Sequence, residues 1–178
     1  MAIQKKAPGD MINRAFDHDA DFYGDPYIRD ILRTGKTIAM VGASTNWNRP
    51  SYFAMKYLQQ KGFRVIPVNP RAAGETLLGE TVRASLKDVG EDIDIVDIFR
   101  NSEAAGQVVD ETLETHPECR TIWMQLGVCN RHAAEKAEAV GKCVIMNRCP
   151  KIEYARLSGE LGWNGINSRV ITSRKRSI

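Results

Sequence analysis

Residues 37–62 of the chain read TIAMVGASTNWNRPSYFAMKYLQQKG. The stretch opens with a short apolar run, continues through Gly42 into a polar segment, and ends in apolar residues at helical spacing. Gly62 follows the last of them, where a helix commonly ends. This order predicts a buried strand, a loop and a helix, which is the repeating unit of a doubly wound α/β sheet.

Four further apolar runs continue the pattern. They are nearly continuous in apolar residues and rich in Val and Ile, which is typical of parallel strands covered on both faces. We therefore predict a Rossmann-like fold in a single domain, with a doubly wound, mainly parallel sheet in a three-layer α/β/α arrangement. The predicted strands are 37–41, 63–68, 94–99, 121–126 and 143–147.

Helical patterns alternate with these strands. Asp25 is expected to cap the first helix, with Pro26 in its first turn and Gly35 just past its end. The weakest stretch is 81–89, which we interpret as a brief edge strand followed by a turn of helix. The other predicted helices lie within 50–62, 102–116, 130–141 and 149–157.

Composition limits the domain count and the partners. The 178 residues are 43% hydrophobic and 26% charged, and no apolar run approaches the roughly 20 residues of a membrane span. We expect an N-terminal arm at 1–24, one domain at 25–157 and a C-terminal tail at 158–178. The net charge of +3 includes the basic end SRKRSI, so the body is close to neutral. We therefore expect neither a nucleic-acid nor a membrane partner.

Cysteine usage and the N-terminal residues bear on the compartment. The four cysteines lack C-x-x-C spacing, so the sequence indicates neither a metal site nor a disulfide framework, and we interpret them as reduced thiols. Residues 1–25 contain no apolar signal-peptide segment, and their aspartates argue against a mitochondrial presequence. The expected location is the cytoplasm.

The loop after the first strand is the first candidate ligand site, because doubly wound sheets bind ligands at the carboxyl ends of their strands. A dinucleotide loop of the G-x-G-x-x-G type needs three glycines, for the turn, for the pyrophosphate and for helix packing. Aligned on Gly42, this loop reads GASTNW, so two of the three are absent and Trp47 takes the last place.

Hydroxyls and a guanidinium replace the missing glycines. Ser44 and Thr45 can donate to phosphate oxygens, and Arg49 brings a cation suited to phosphate just before Pro50 begins the helix. A phosphate is still expected at the helix N-terminus, in a pose that differs from that of a dinucleotide.

The end of the second strand gives an independent indication. NAD-binding proteins place an acid there for the ribose hydroxyl, whereas this chain has Asn69, Pro70 and Arg71. An arginine at this position favours a ribose that carries a phosphate, as in NADP or coenzyme A, and the glycine-poor loop favours coenzyme A. Two alternatives stay open: an NADP-binding reductase, and a cleft at which Arg49 and Arg71 are ordinary surface residues.

Six segments follow one another between residues 34 and 157: VGAS…NRPSY, GFRVIPVNPR, LLGETVRASLKDV, DIVDIFRNSE, IWMQLGV and MNRCPKIEYARL. Together they resemble the small stand-alone CoA-binding proteins that are similar to the CoA-binding domain of succinyl-CoA synthetase α-subunits. The specificity of the resemblance comes from all six segments in order.

The resemblance implies a Rossmann-like domain that binds coenzyme A or an acyl-CoA. The implied contact residues are Gly42, Ala43, Ser44, Arg49, Pro50 and Ser51 for the nucleotide end, Asn69, Pro70 and Arg71 for the phosphorylated ribose, and Phe99 and Arg100 beside the adenine or the pantetheine.

The resemblance also bears on catalysis. The synthetase α-subunit has a second domain with a phosphorylated histidine, and nothing comparable follows Leu157. His18, His116 and His132 are expected to be solvated surface residues. We therefore expect a CoA-binding protein without ligase activity of its own, which acts as a homo-oligomer or with a partner protein that supplies the catalytic domain.

Cys149 is the candidate reactive group. It is expected at the N-cap of the last helix beside Arg148 and Lys151, and a helix N-terminus with nearby cations lowers a thiol pKa. One interpretation is a CoA-linked thiol-redox enzyme, in which Cys149 faces the CoA thiol and forms a mixed disulfide. The other is that a small residue is needed before Pro150 at the cap.

No other catalytic group is evident. The motifs contain no Ser-His-Asp or Cys-His arrangement, and Asp94 and Asp97 are expected in cap and loop roles. No catalytic triad or metal ligand is therefore assigned.

Overall fold

Five parallel strands form the central sheet of the chain, whose computed structural model describes residues 16–159. In chain order the elements are β1 (Phe16–Asp17), β2 (Phe22–Tyr23), α1 (Asp25–Thr34), β3 (Thr37–Val41), α2 (Pro50–Gln60), β4 (Arg64–Val68), β5 (Thr76–Leu77), β6 (Glu80–Thr81), β7 (Ile95–Ile98), α3 (Ser102–Thr115), β8 (Thr121–Met124), α4 (Arg131–Ala139), β9 (Cys143–Ile145) and α5 (Pro150–Leu157). Single turns of 3-10 helix lie at Pro70–Ala72 and Leu86–Asp88.

The order of the strands places a switch point beside the first loop. The sheet runs β4-β3-β7-β8-β9, and every neighbouring pair is parallel. The first central strand, β3, therefore lies between β4 and β7, which both follow it in the chain. In register, Met40 of β3 lies between Pro67 of β4 and Asp97 of β7. The loops after β3 and β7 therefore leave neighbouring strands toward opposite faces. The predicted doubly wound sheet and its five strands are confirmed.

Helices cover both faces because the strands are apolar on both sides. Ile38, Met40 and Trp123 face the core beneath α1, α2 and α5. Ala39 and Val96 face the core beneath α3 and α4. Alternation along β3 thus divides its residues between two buried layers, which explains the continuous apolar run in the sequence.

The helix starts agree with the sequence at most positions. The prediction that Asp25 caps α1 was wrong: Gly24 is the N-cap and Asp25 is the first helical residue. Its carboxylate instead accepts a hydrogen bond from Arg156 Nη1 (2.7 Å). Asn101 and Asn130 cap α3 and α4 with their side chains.

The segment between β4 and β7 has little regular structure. The edge strand predicted within 81–89 is reduced to one parallel bridge, between Arg83 and Val68 at the end of β4. The N–H of Arg83 donates to Pro67 O, and the N–H of Asn69 donates to Arg83 O, both at 2.8 Å. The predicted helical turn is the 3-10 turn that begins at Leu86.

Residues 16–24 of the N-terminal arm pack on the end of the sheet. The Tyr23 hydroxyl accepts a hydrogen bond from the N–H of Met146 (2.7 Å), just after β9. Arg148 Nη1 bonds the carboxylate of Asp21 at 2.9 and 3.0 Å. No helix within residues 16–159 is long and apolar enough to cross a membrane. The predicted C-terminal tail lies outside the described residues from position 160 onward.

Two of the three histidines are not surface residues, which corrects the prediction. The His18 ring lies 2.8 Å from the Tyr23 hydroxyl and 2.7 Å from Glu138 Oε1, and its side chain is 4% exposed. His116 is also buried, with Nε2 2.9 Å from Leu86 O. Both form contacts across long stretches of chain. His132 is exposed, as predicted.

Candidate functional site

Gly42 joins the ends of three neighbouring strands. Its φ is +90°, and its N–H donates to Val68 O at the end of β4 (2.8 Å). A Cβ atom on Gly42 would lie 3.0 Å from Phe99 O and 3.1 Å from Arg100 Cδ, beyond the end of β7. Both the backbone angle and the close approach therefore require glycine here. Three of the predicted site residues, Gly42, Phe99 and Arg100, are in contact.

The rest of the loop, residues 43–51, folds on its own polar side chains. The N–H of Ser44 donates to Ser51 Oγ (3.1 Å), and the N–H of Asn46 donates to Ser44 Oγ (3.2 Å). Each serine oxygen acts as an acceptor in these bonds, and its hydroxyl hydrogen is free to donate to a further group. Ser51 is buried, whereas Ser44 is half-buried. Pro50 is the first residue of α2. Two serine side chains thus lie at the N-terminus of α2, and Ser44 is the more accessible of them.

Asn69 connects this loop to the end of β4. Its Nδ2 donates to Ala43 O (2.7 Å), and its Oδ1 accepts from the N–H of Arg71 (3.0 Å). The side chain therefore holds the protein's own backbone. Pro70 and Arg71 follow in the 3-10 turn, with Arg71 exposed. The two predicted nucleotide segments are joined directly through Asn69.

Arginines without acidic partners gather at the carboxyl edge, by which we mean the edge formed by the carboxyl ends of the five central strands. Five arginines of the described chain form ion pairs with a carboxylate: Arg33, Arg64, Arg131, Arg148 and Arg156. Within residues 16–159, no carboxylate pairs with the four at this edge: Arg49, Arg71, Arg83 and Arg100. Within the same described residues Arg29 and Arg120 are also unpaired, but they lie away from the carboxyl edge, on α1 and just before β8. The carboxyl edge therefore carries positive charge suited to an anion.

A mostly apolar cleft of about 500 Å³ opens where the loop enters α2. Phe53 and Leu126 at this cleft are 47% and 58% exposed, which is unusual for large apolar side chains. The cleft brings together three predicted site residues, Pro50, Phe99 and Cys149, with Gln125 as a further polar member.

A second cleft, of about 420 Å³, lies at the opposite edge of the sheet. Lys36 and Phe63, which line it, directly precede β3 and β4. Since ligands of doubly wound sheets bind at the carboxyl ends, the first cleft is the candidate site.

Cys149 occupies the predicted N-cap of α5, but the prediction of a lowered thiol pKa was wrong. Burial raises the pKa of Cys149, and its hydrogen bonds oppose this only in part. The neighbouring cations are directed elsewhere: Arg148 pairs with Asp21, and Lys151 Nζ lies 5.7 Å from the centre of the Tyr57 ring. The thiol is therefore neutral at physiological pH.

Asp97, which contacts the cleft residue Gln125, is a buried acid that sequence reasoning missed. Its carboxyl group is fully buried on β7, and both oxygens accept from Gln125 Nε2, at 3.0 and 3.1 Å. Burial raises the pKa of Asp97 to about 8, against the opposing effect of the Gln125 hydrogen bonds. The expected cap or loop role was wrong for Asp97, whereas Asp94 does accept from the N–H groups of Lys36 and Thr37. The sequence did contain a signal for this buried acid, because Asp97 interrupts the apolar run of the predicted strand 94–99.

The chain matches a known protein family and a relative in Bacillus subtilis. A sequence model described as the CoA binding domain matches residues 36–155. The chain belongs to this family of CoA-binding domains. It is 38% identical over 128 residues to YneT of Bacillus subtilis, which covers 72% of this chain and 92% of YneT. The resemblance drawn from the six sequence segments is confirmed.

Solved structures agree with the family assignment. A protein from Thermus thermophilus superposes with a TM-score of 0.71 at 36% identity, covering 75% of this chain and 98% of that one. Acetyl-coenzyme A synthetase 1 of Candidatus Korarchaeum cryptofilum gives a TM-score of 0.52 at 22% identity, covering 65% of this chain and 27% of the synthetase. The likeness to the synthetase shows a shared fold.

Replacing Gly42 with Ala should destabilise the protein more than the same change at Gly79. Both glycines have a positive φ, 90° and 87°, so each substitution carries a left-handed strain of about 1–2 kcal/mol. A Cβ on Gly79 meets nothing within 4 Å, so only Gly42→Ala adds a clash with the end of β7. Denaturant unfolding should show an extra loss of about 1 kcal/mol or more for Gly42→Ala. Equal losses would contradict the close approach.

Replacing Asp97 with Asn should remove a pH dependence of stability. The folded-state pKa is about 8 and the ordinary value 3.8, so the folded protein keeps a proton that the unfolded chain releases. The Asp97 contribution is complete below the ordinary pKa and is lost as the pH rises through the folded-state value. Between about pH 5 and 7.5, the wild-type free energy of unfolding should fall by about 1.4 kcal/mol per pH unit relative to Asp97→Asn.

Denaturant unfolding at three pH values in this window measures the difference. Asp92→Asn, at an exposed aspartate, is the matched control and should run parallel to wild type. A difference between wild type and Asp97→Asn that does not change with pH would contradict the raised pKa.

Proposed function

We propose that this protein binds coenzyme A or an acyl-CoA at the carboxyl edge, in the cytoplasm, without ligase activity of its own. The observation that carries the proposal is the order of features along that edge. Unpaired arginines surround the loop at 42–51, and an apolar cleft opens where this loop enters α2. Coenzyme A has the matching chemistry, with phosphates at one end and a long uncharged arm at the other.

The nucleotide end is assigned to the loop and the end of β4. The Ser44 hydroxyl and the Arg49 guanidinium supply donors for phosphate oxygens beside the N-terminus of α2. The buried Ser51 side chain fixes this loop by accepting from the N–H of Ser44. Arg71 is assigned to the phosphorylated ribose, because the turn that Asn69 caps holds it at the end of β4. The hydrogen bond from Asn69 to Ala43 supports treating the two segments as one site.

The pantetheine arm is assigned to the cleft. Its apolar lining suits the methylene and methyl groups of the arm, and Gln125 offers a polar group for an amide. Cys149 lines the cleft, and Asp97 lies behind it, bonded to Gln125. Burial raises the pKa values of both groups, so both are uncharged at neutral pH. A cleft with neutral polar groups suits an uncharged arm that ends in a thiol or thioester.

We propose the absence of ligase activity from the surroundings of the histidines and from the share of the synthetase chain that this protein resembles. His18 and His116 are each buried and held by partners within the fold, so neither is placed to carry a transferable phosphate. His132 is exposed on α4 and does not line the cleft. The similar region makes up 27% of the solved synthetase chain. We propose that any ligase reaction requires a partner protein or a further copy of this chain.

Isothermal titration should distinguish coenzyme A from NADP. We expect coenzyme A to bind at least about tenfold more tightly than NADPH, because the loop lacks the glycines that admit a dinucleotide pyrophosphate. Arg71→Ala should weaken coenzyme A by about twofold to fivefold and leave 3′-dephospho-CoA nearly unchanged, since Arg71 is an exposed cation. Arg120→Ala, an exposed arginine before β8, is the matched control. Preferential binding of NADPH would favour the reductase alternative.

Exposure to CoA disulfide tests the thiol-redox alternative. In that alternative the Cys149 thiolate attacks the disulfide, forms a Cys149–CoA mixed disulfide and releases one molecule of CoA thiol. Because Cys149 is buried and Cys129 is exposed, we expect any adduct seen by intact mass to form at Cys129. The adduct should then persist in Cys149→Ser and disappear in Cys129→Ser. The reverse pattern would establish the redox alternative.

A further inference from the structure

Backbone pairing holds Arg83 at the nucleotide end of the site. Arg83 bridges Val68, and its two backbone hydrogen bonds reach Pro67 and Asn69. Since Asn69 also bonds Ala43, Arg83 is one hydrogen bond away from the joint between the loop and β4. It was not among the residues expected to contact a ligand.

Arg83 and Arg100 stand on the same face of the sheet. Paired residues of neighbouring strands carry their Cβ atoms to one side, and Val68 packs in the core beneath α3 and α4. Val82, the preceding residue, is buried in the core of the opposite face. The connection from β7 to α3, which contains Arg100, turns toward the α3 face. The Arg83 side chain and the connection that contains Arg100 therefore leave the sheet on the same side of the switch point.

The side chain of Arg83 has an unused donor. Its Nε is buried without a hydrogen-bond partner, and it is the one side-chain nitrogen or oxygen in residues 16–159 of which this is true. Arg83 also makes no ion pair with a carboxylate in that part of the chain. A buried donor without an acceptor is destabilising, and a ligand oxygen would relieve it. Arg71, by contrast, is exposed to solvent.

We infer that Arg83 binds the phosphate monoester on the ribose of the nucleotide, through Nε and a terminal N–H of its guanidinium. This inference rests on the proposed function and adds the residue that selects a phosphorylated ribose. Arg83 contributes more to this contact than Arg71, because a half-buried charge is screened less by water than an exposed one. Two N–H groups on two phosphate oxygens also fix the orientation of the ribose.

The test compares coenzyme A with 3′-dephospho-CoA, which differ only in this phosphate. By isothermal titration, Arg83→Gln should weaken coenzyme A by about tenfold or more and 3′-dephospho-CoA by less than about twofold. Arg71→Ala should show a smaller loss confined to coenzyme A. Arg120→Gln is the matched control at the amino end of β8 and should change neither affinity. Thermal unfolding of each variant establishes that it is folded.

Arg83→Lys covers the case in which Arg83→Gln does not fold. It keeps the charge and removes Nε, so its loss should be intermediate and again confined to coenzyme A. Equal losses for both ligands, no loss for either, or a larger loss in Arg71→Ala would overturn the assignment of Arg83. Wild-type protein that binds both ligands equally would overturn it as well, while the proposed function stands. Wild-type protein that binds neither ligand would overturn the proposed function itself.

Discussion

The close approach of β7 to the end of β3 at Gly42 is the constraint on which the site depends. With a positive φ and no room for a Cβ atom, Gly42 turns the chain while its N–H stays bonded to β4. Three strand ends are thereby held together at the switch point of the sheet. The loop that follows is then tied again to β4 by Asn69. The loop at 42–51 and the turn at 69–71, which we propose bind the phosphates and the ribose, thus become neighbours although they are far apart in sequence.

Charge and burial are distributed so that the two ends of this edge differ. Around the loop, arginines lack the acidic partners that most other arginines of the described chain possess. At the cleft, burial keeps the Cys149 thiol, and the Asp97 carboxyl that bonds Gln125, in their neutral forms at physiological pH. A ligand with a charged head and an uncharged arm has one favourable orientation on such a surface, because reversing it would bury phosphate against apolar side chains.

The predictions that held rest on local physics. Apolar runs of four or five residues specify strands buried on both faces, and the small or polar residues around them specify where helices begin. The importance of Gly42, of the segment from Asn69 to Arg71 and of Pro150 at a helix start was predicted for the same reason. Two residues that sequence reasoning missed, Asp97 and Arg83, depend on distant partners. Asp97 is bonded by Gln125, just after β8, and Arg83 is placed by Val68 at the end of β4.

The wrong predictions share a cause. His18 is buried because the N-terminal arm brings it to Glu138, 120 residues away in the chain. The pKa of Cys149 follows burial because its neighbouring cations are drawn to Asp21 and Tyr57.

By itself, the sequence determined the fold class, the positions of the strands and the loop that must turn at Gly42, because hydrophobic periodicity and backbone sterics act over a few residues. Only the tertiary structure decided which charges are compensated, which polar groups are buried, and which strand ends meet. Those properties depend on dielectric surroundings and hydrogen-bond partners that are assembled from the whole chain.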